Sequence, residues 1–208
     1  MITIVDYGMG NLGSIKNMLK KIGVPALISS DPTDIKAAEK LILPGVGAFE
    51  NGMKNLNERG LIDILNEKVR IEKTPVLGIC LGMQLLSNSS QEGTLHGLGW
   101  LDAATKKFDF TDLHNPALKI PHMGWNTVEI KKNHALFANM PPEIRFYFVH
   151  SYYVDCKNPD HELTHTVHGI TFTSAVAVEN ICGVQFHPEK SHKFGMKLLA
   201  NFAATSFS

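Results

Sequence analysis

Val76-Leu77-Gly78-Ile79-Cys80-Leu81-Gly82-Met83-Gln84-Leu85-Leu86 is the stretch whose reading decides the fold. Val76 to Ile79 is a short apolar run, long enough for a buried strand and too short for a helix. Cys80 follows it on a turn flanked by Gly78 and Gly82, and a helical pattern then runs through Leu86. Glycines on both sides leave room for a sharp strand-to-helix turn, which lifts the intervening side chain clear of the sheet edge. Helix amides aimed at Cys80 favour its thiolate, and the N–H of Leu81 points where an oxyanion would develop. A buried cysteine on a Gly-flanked turn is also common packing, so this segment alone leaves catalysis open.

The same alternation extends outward. Ile2–Val5, Ala26–Ser29 and Leu41–Leu43 read as strands. Leu12, Ile15, Met18, Leu19 and Ile22 recur at helical spacing, with Gly23 as the stop. A short helix is expected over Asp34–Glu39, and a mostly helical stretch over Met53–Glu72 with Gly60 interrupting it. Strand–helix alternation predicts a parallel sheet with helices on both faces. Beyond residue 100 the pattern changes. Thr105–Phe110, Asn126–Ile130, Ile144–His150, Thr164–His168, Thr171–Ala177 and Ile181–Phe186 read as strands added in mixed or antiparallel fashion to the same core. Phe194–Phe202 reads as a closing helix. No linker, repeat or low-complexity segment interrupts the 208 residues, which predicts one domain over 1–208.

Composition narrows the class. Hydrophobic residues make up 44% and charged residues 19%, and the 20 basic side chains balance the 20 acidic ones. A chain without net basic charge lacks the electrostatic footprint of a nucleic-acid binder. No stretch reads as a membrane span, and the first residues lack the basic region of a signal peptide. Three scattered cysteines, Cys80, Cys156 and Cys182, form no disulfide framework, so a reducing, cytoplasmic setting is expected.

Two further segments carry chemistry. Gly183-Val184-Gln185-Phe186-His187-Pro188-Glu189 is an apolar strand ending in His, Pro and an acid. A thiol nucleophile needs a base, and the base needs an orienting group. Glu189 lies two residues past His187, on the same side of an extended backbone. A surface His and Glu before a helix capped by Ser191 would read the same way. Leu43-Pro44-Gly45-Val46-Gly47 places glycines just past a strand's C-terminal end, where ligand sites of open α/β sheets lie and where free N–H groups complete an oxyanion hole. An ordinary turn has the same composition.

Taken together, the three segments resemble the class I (triad) glutamine amidotransferases. Order supports this: in an α/β-hydrolase the acid precedes the histidine, whereas here it follows. Asp6-Tyr7-Gly8-Met9-Gly10-Asn11, Pro121-His122-Met123-Gly124-Trp125-Asn126 and Tyr147 to Tyr152 narrow the resemblance to the glutaminase subunits of imidazole glycerol phosphate synthases. The resemblance implies a three-layer α/β/α fold with a mixed, mainly parallel central sheet. It implies glutamine hydrolysis by Cys80, His187 and Glu189, with Gly47 and Leu81 at the oxyanion. Gln84, His150 and Ser151 would line the glutamine pocket, and Asn11, Trp125, Tyr147 and Lys190 would face the partner. The implied partner is a (β/α)8-barrel cyclase, and no metal or organic cofactor is implied. Lys190-Ser191-His192-Lys193-Phe194-Gly195-Met196 and Gly97-Leu98-Gly99-Trp100 depart from the usual pattern. They resemble a paralogous branch feeding ammonia to a sugar amidotransferase for surface polysaccharide. An interaction subunit without turnover is a third reading, opposed by the complete Cys, His and Glu set.

Two weaker signals have plainer readings. His161, His165 and His168 lack ligands at metal spacing and read as solvated turn residues. Cys156 and Cys182 read as packing residues, and Asp6 as a strand-end acid bonding local amides.

Overall fold

The computed structural model describes residues 1–113 and 115–205. The first half follows the expected alternation: β1 (Ile2–Val5), α1 (Leu12–Lys21), β2 (Ala26–Ser29), α2 (Pro32–Lys36), β3 (Lys40–Leu43), α3 (Phe49–Glu58), α4 (Leu61–Asn66), β4 (Val76–Ile79) and α5 (Leu81–Leu85). Local chemistry sets the ends. The Asn11 side chain accepts from Ser14 N–H to cap α1, Lys20 and Lys21 lie in its last turn, and Gly23 turns the chain at φ +76°. The long helical stretch begins earlier than its apolar spacing suggested and is cut in two. Gly60, at φ +65°, starts α4 afresh, and a π-helical turn over Glu67–Ile71 finishes the segment.

The second half holds β5 (Ser89–Ser90), β6 (Ala103–Lys107), β7 (His122–Thr127), β8 (Glu129–Ile130), β9 (Arg145–His150), β10 (Tyr152–Cys156), β11 (Glu162–His168), β12 (Ile170–Val178), β13 (Ile181–Val184) and α6 (His192–Ala204). The main sheet runs β2-β1-β3-β4-β13-β12-β10-β6-β5, with β11 and β8 joined at β12. From β2 to β13 every pairing is parallel, and β12 and β10 continue it antiparallel. β1, β4 and β13 are buried along their whole length, as strands covered on both faces must be. Ile15 and Leu19 of α1 pack with Leu198 and Phe202 of α6 on one face. Leu56, Leu61 and Leu85 of α3, α4 and α5 pack on the other.

The expected single set of second-half strands is corrected in two places. The run from 144 to 156 kinks at Ser151, so β9 pairs with β7 in a separate two-stranded sheet while β10 joins the main one. The run 126–130 likewise divides at Val128, between β7 and β8. β10 escaped the sequence reading because Asp155 and the half-buried residues around it lack clean alternation.

The turn after β4 leaves no room for side chains at its glycines. A Cβ on Gly82 would lie 1.8 Å from the carbonyl oxygen of Leu43, and one on Gly78 would lie 2.7 Å from the oxygen of Gly82. Gly82→Ala should therefore lower the free energy of unfolding by about 3 kcal/mol or more, because backbone rather than a flexible side chain must move. Gly13, on α1 with nothing within 4 Å of its would-be Cβ, is the comparison. Gly13→Ala should be neutral or raise stability by up to ~1 kcal/mol. Urea unfolding of both variants measures the contrast.

Candidate active site

Cys80 stands at the C-terminal end of β4, between β3 and β13. Its backbone sits at φ 53°, ψ −109°, a left-handed value strained for any residue but glycine, costing about 1–3 kcal/mol. Three hydrogen bonds hold it there. Its N–H donates to Val184 O at 2.8 Å, and its carbonyl accepts from Met83 and Gln84 N–H at 3.0 and 3.2 Å. α5 is only five residues long, so its support for an anion resides in the first-turn N–H groups rather than in a long helix dipole.

β13 delivers the partners of Cys80. Its register sets Val184 beside Ile79, so the next residue, Gln185, comes alongside Cys80. Phe186 turns into the core and stacks on Phe146 at 3.8 Å between ring centroids, which leaves Gln185 and His187 for the opposite side. His187 N–H donates to Tyr147 O at 2.9 Å, tying the strand end to β9. The expected extended geometry after His187 is instead a 3-10 turn, Pro188–Lys190, and that turn brings Glu189 back. His187 Nδ1 donates to Glu189 Oε1 at 2.7 Å with both side chains buried. Nε2 is thereby the nitrogen left to face the site, an acceptor whenever the ring is neutral, and among the described residues it has no hydrogen-bond partner. Burial opposes a charge on His187, but the Cys80 sulfur and the Glu189 carboxylate outweigh it and raise its pKa to about 10. After burial, the contact with the Cys80 sulfur is the largest influence on His187 and the Glu189 hydrogen bond the next. Two of the sulfur's polar contacts are long ones: Sγ donates to Val149 O at 3.9 Å and accepts from Gln185 Nε2 at 3.7 Å.

A cleft of about 240 Å³ opens over Cys80. It brings together Gly47, Cys80, Leu81, Gln84, His150 and Ser151, all singled out from the sequence, and adds Glu92, Val149 and Tyr152. His187 and Glu189 lie outside its lining. The glycine loop is pinned at one end, where the buried Tyr7 hydroxyl donates to Pro44 O at 2.5 Å. Burial, with the nearby Cys80 second, pushes the Tyr7 pKa far up, so the phenol stays a donor. Beyond the pin, Val46 is exposed and Gly47 sits at φ +121°. Glu92 Oε2 accepts from Phe49 N–H at 2.8 Å, which holds the carboxylate at the rim. Sequence reasoning missed Gln185, Glu92 and Tyr7. Gln185 and Tyr7 lay inside quoted segments, whereas Glu92 sits in a polar stretch with no motif.

Of the four residues expected at a partner face, three gather. Trp125, on β7, meets Tyr147 edge-on across the β7–β9 pair at 6.4 Å, and Lys190 Nζ lies 5.6 Å from the Tyr147 ring centre. Trp125 and Met123 are both exposed. Asn11 serves locally as the cap of α1.

Behind the cleft runs a directed chain of hydrogen bonds. His150 Nδ1 meets Tyr152 O at 2.7 Å, so it donates, and Nε2 must accept. His122 Nδ1, 2.9 Å away, is the donor to it. His122 Nε2 then accepts from Asn126 Nδ2 at 3.1 Å. His168 stacks on His122 at 4.2 Å and bonds Lys119 O, and His165 bonds Glu162, so neither is the solvated turn residue expected. Among the described residues no group of three His, Cys, Asp or Glu is placed to hold a metal ion. Burial, aided by Glu162 and Asp155 at Cys156, pushes the thiols of Cys156 and Cys182 up to about 12, which keeps both unreactive.

A family model described as glutamine amidotransferase class-I matches residues 3–205. A Methanococcus maripaludis protein named imidazole glycerol phosphate synthase subunit HisH 2 is 60% identical, over 97% of this chain and 98% of that one. A Pseudomonas aeruginosa protein of the same name is 50% identical over the same shares. Among solved structures, one described as a glutamine amidotransferase superposes with TM-score 0.75 at 18% identity, covering 99% of this chain and 100% of the other. At that identity the likeness concerns the fold. Among the described residues no helix is long and apolar enough to cross a membrane.

The paired histidines predict an acid-sensitive fold. Burial first, then their charged-form repulsion with neighbouring histidines, lowers His150 to about 3 and His122 to about 4 from 6.5. Between those values and 6.5 the unfolded chain binds more protons, so stability is lost as pH falls. His187 has the opposite sign. Its contribution is complete below 6.5 and does not offset the slope. Urea midpoints should fall from roughly pH 7 to roughly pH 4, less steeply in His122→Gln. Parallel slopes in the two proteins would remove His122 from the account.

Proposed function

We infer the function from one premise: the chain belongs to the class-I glutamine amidotransferase family. It hydrolyses glutamine to glutamate and ammonia, as the glutaminase subunit of an imidazole glycerol phosphate synthase in histidine biosynthesis. The observation that carries the residue assignment is the oriented His187–Glu189 pair, with the second ring nitrogen left to the site and the ring coupled to the Cys80 sulfur.

In the proposed reaction the thiol proton moves from Cys80 Sγ to His187 Nε2, and the sulfur attacks the carboxamide carbon of glutamine. Charge gathers on the carboxamide oxygen, where N–H groups of Leu81 and Gly47 receive it. His187 then protonates the leaving nitrogen, ammonia departs, and water activated by the same imidazole cleaves the thioester. Glu189 holds the imidazole in the required tautomer. Glu92 is the carboxylate of the cleft lining, and it is placed to pair with the substrate's α-ammonium group while Gln84, His150 and Ser151 shape the pocket.

The ammonia passes to a synthase subunit, which we identify with a (β/α)8-barrel cyclase seated on the Trp125, Tyr147 and Lys190 face, with Asn11 as a further contact. The resting geometry fits a subunit that waits for this partner. The thiol donates to Val149 O, and Val149 sits on β9, the strand that also carries Tyr147. A second reading changes only the acceptor, to a nucleotide-activated sugar handled by a sugar amidotransferase. The two relatives at 60% and 50% identity both carry the number 2 in their names, which suits a paralogous branch.

Cys80→Ala should abolish ammonia release, while Cys156→Ala leaves it nearly intact. Loss of the base in His187→Ala should cost about 10²–10⁴-fold, and Glu189→Gln less than that. Normal turnover of His187→Ala in the complex would sink the triad. Ammonia release from the chain alone, then with partner, then with partner and acceptor tests the gating. A competent population of about 1% alone implies a rise of about a hundredfold. Equal rates in all three would defeat it, and stimulation only by a sugar amidotransferase would select the second reading.

A further inference from the structure

The polar atoms nearest the reacting sulfur include one that the triad does not use. Gln185 is completely buried, and its Nε2 lies 3.7 Å from Cys80 Sγ. An amide can present either its oxygen or its nitrogen, so the identity of the atom facing sulfur has to be fixed by the surrounding bonds. Here it is. Gln84 Nε2 lies 3.0 Å from Tyr152 O, a backbone carbonyl that only accepts, so this end of Gln84 is the donor. The same nitrogen lies 3.0 Å from the other end of Gln185, which must therefore be the accepting Oε1. The remaining end of Gln185, facing Sγ, is the NH₂ group. Tyr152 O is itself fixed by a second donor, His150 Nδ1.

We propose that Gln185 is a further catalytic residue, whose side-chain amide donates to the Cys80 sulfur and stabilises the thiolate; this rests on reading Cys80 as the nucleophile. The argument is one of difference between two states. As a thiol, Sγ also donates to Val149 O at 3.9 Å. When the proton leaves for His187 Nε2, that contact becomes one between a negative sulfur and a carbonyl oxygen and turns repulsive. The Gln185 contact changes in the other direction, to a charge-assisted hydrogen bond. The amide therefore favours the ionised sulfur over the neutral one, and Gln84, by holding Oε1, keeps the donor in place. In the next step the sulfur lone pair forms the C–S bond and the carbonyl π pair moves to oxygen. Gln185 thus aids formation of the nucleophile rather than its attack.

The test is the rate at which iodoacetamide alkylates Cys80 in the full chain, a readout independent of glutamine. Hydrogen bonds to charged groups are worth enough that Gln185→Met should slow alkylation near neutrality about tenfold. The deficit should shrink at alkaline pH, where the thiol ionises in both proteins. In the partner complex kcat should fall by a similar factor with KM for glutamine little changed. Thr164→Val removes a buried 2.8 Å hydroxyl contact with Ser174, whose carbonyl accepts from Gln185 N–H, and is the control for loosening around Gln185 that leaves its amide in place. Equal alkylation rates in parent and Gln185→Met, or an equal loss in Thr164→Val, would overturn the proposal. Should Gln185→Met not fold, the side-chain amide signals of Gln185 are followed by NMR in the unsubstituted chain and in Cys80→Ala. They should titrate in step with alkylation of Cys80 in the former and stay constant in the latter; constancy in both overturns the proposal. A Cys80→Ala chain that still hydrolyses glutamine would defeat the triad while leaving the alkylation result standing.

Discussion

The site depends on one steric contact: the backbone of Gly82 lies directly against the carbonyl of Leu43. With no side chain between them, α5 begins immediately over the end of β3, and the turn from β4 has to be sharp. That sharpness forces Cys80 to φ 53° and points its sulfur out of the sheet edge. It also draws the glycine loop after β3 to within reach of the same sulfur. A Cβ on Gly45 would meet the Leu81 side chain at 2.7 Å. Any larger residue at these glycines would push the turn at Cys80 away from the loop after β3. The strain at Cys80 persists because its N–H and carbonyl are both committed to neighbours.

Around this contact the electrostatics divide into two kinds. His187 and Glu189 form a buried pair in which charge is favoured on the imidazole, which suits a base that must hold a proton between steps. His150 and His122 are held neutral by burial, which suits hydrogen-bonding struts of fixed tautomer. Both kinds use the same side chain, and the surroundings alone separate the roles. The neutral chain ends on Tyr152 O, where Gln84 meets it, so the amides beside Cys80 and the histidines behind the cleft share one acceptor.

The kink at Ser151 links the cleft to the exposed face. β9 belongs to the small sheet with β7, whose outward residues include Met123 and Trp125, and β10 belongs to the main sheet. Residues 149 to 152 therefore sit at a seam between two sheets while lining the cleft.

Much was legible from the sequence. The four-residue apolar runs, the glycines bracketing Cys80 and the His-Pro-Glu end of a strand identified the parallel half and the three segments that converge, because strand period and turn chemistry are local properties. Local reading also explains what was missed. Gln185 looked like one more residue of a buried strand. Only the register between β13 and β4 places it beside the sulfur, and only Gln84 determines which end of its amide faces it. Glu92 has no motif at all and reaches the cleft through a bond to the start of α3, 43 residues away. Glu189 was expected on an extended backbone and arrives by a 3-10 turn, since Pro188 favours a turn that the side-chain alternation cannot report. The sequence by itself determined which chemical groups the protein owns and which strand ends carry them. The tertiary structure decided their protonation, their tautomers and the orientation of their amides, because burial and hydrogen-bond partners fix those properties and both come from residues distant in the chain.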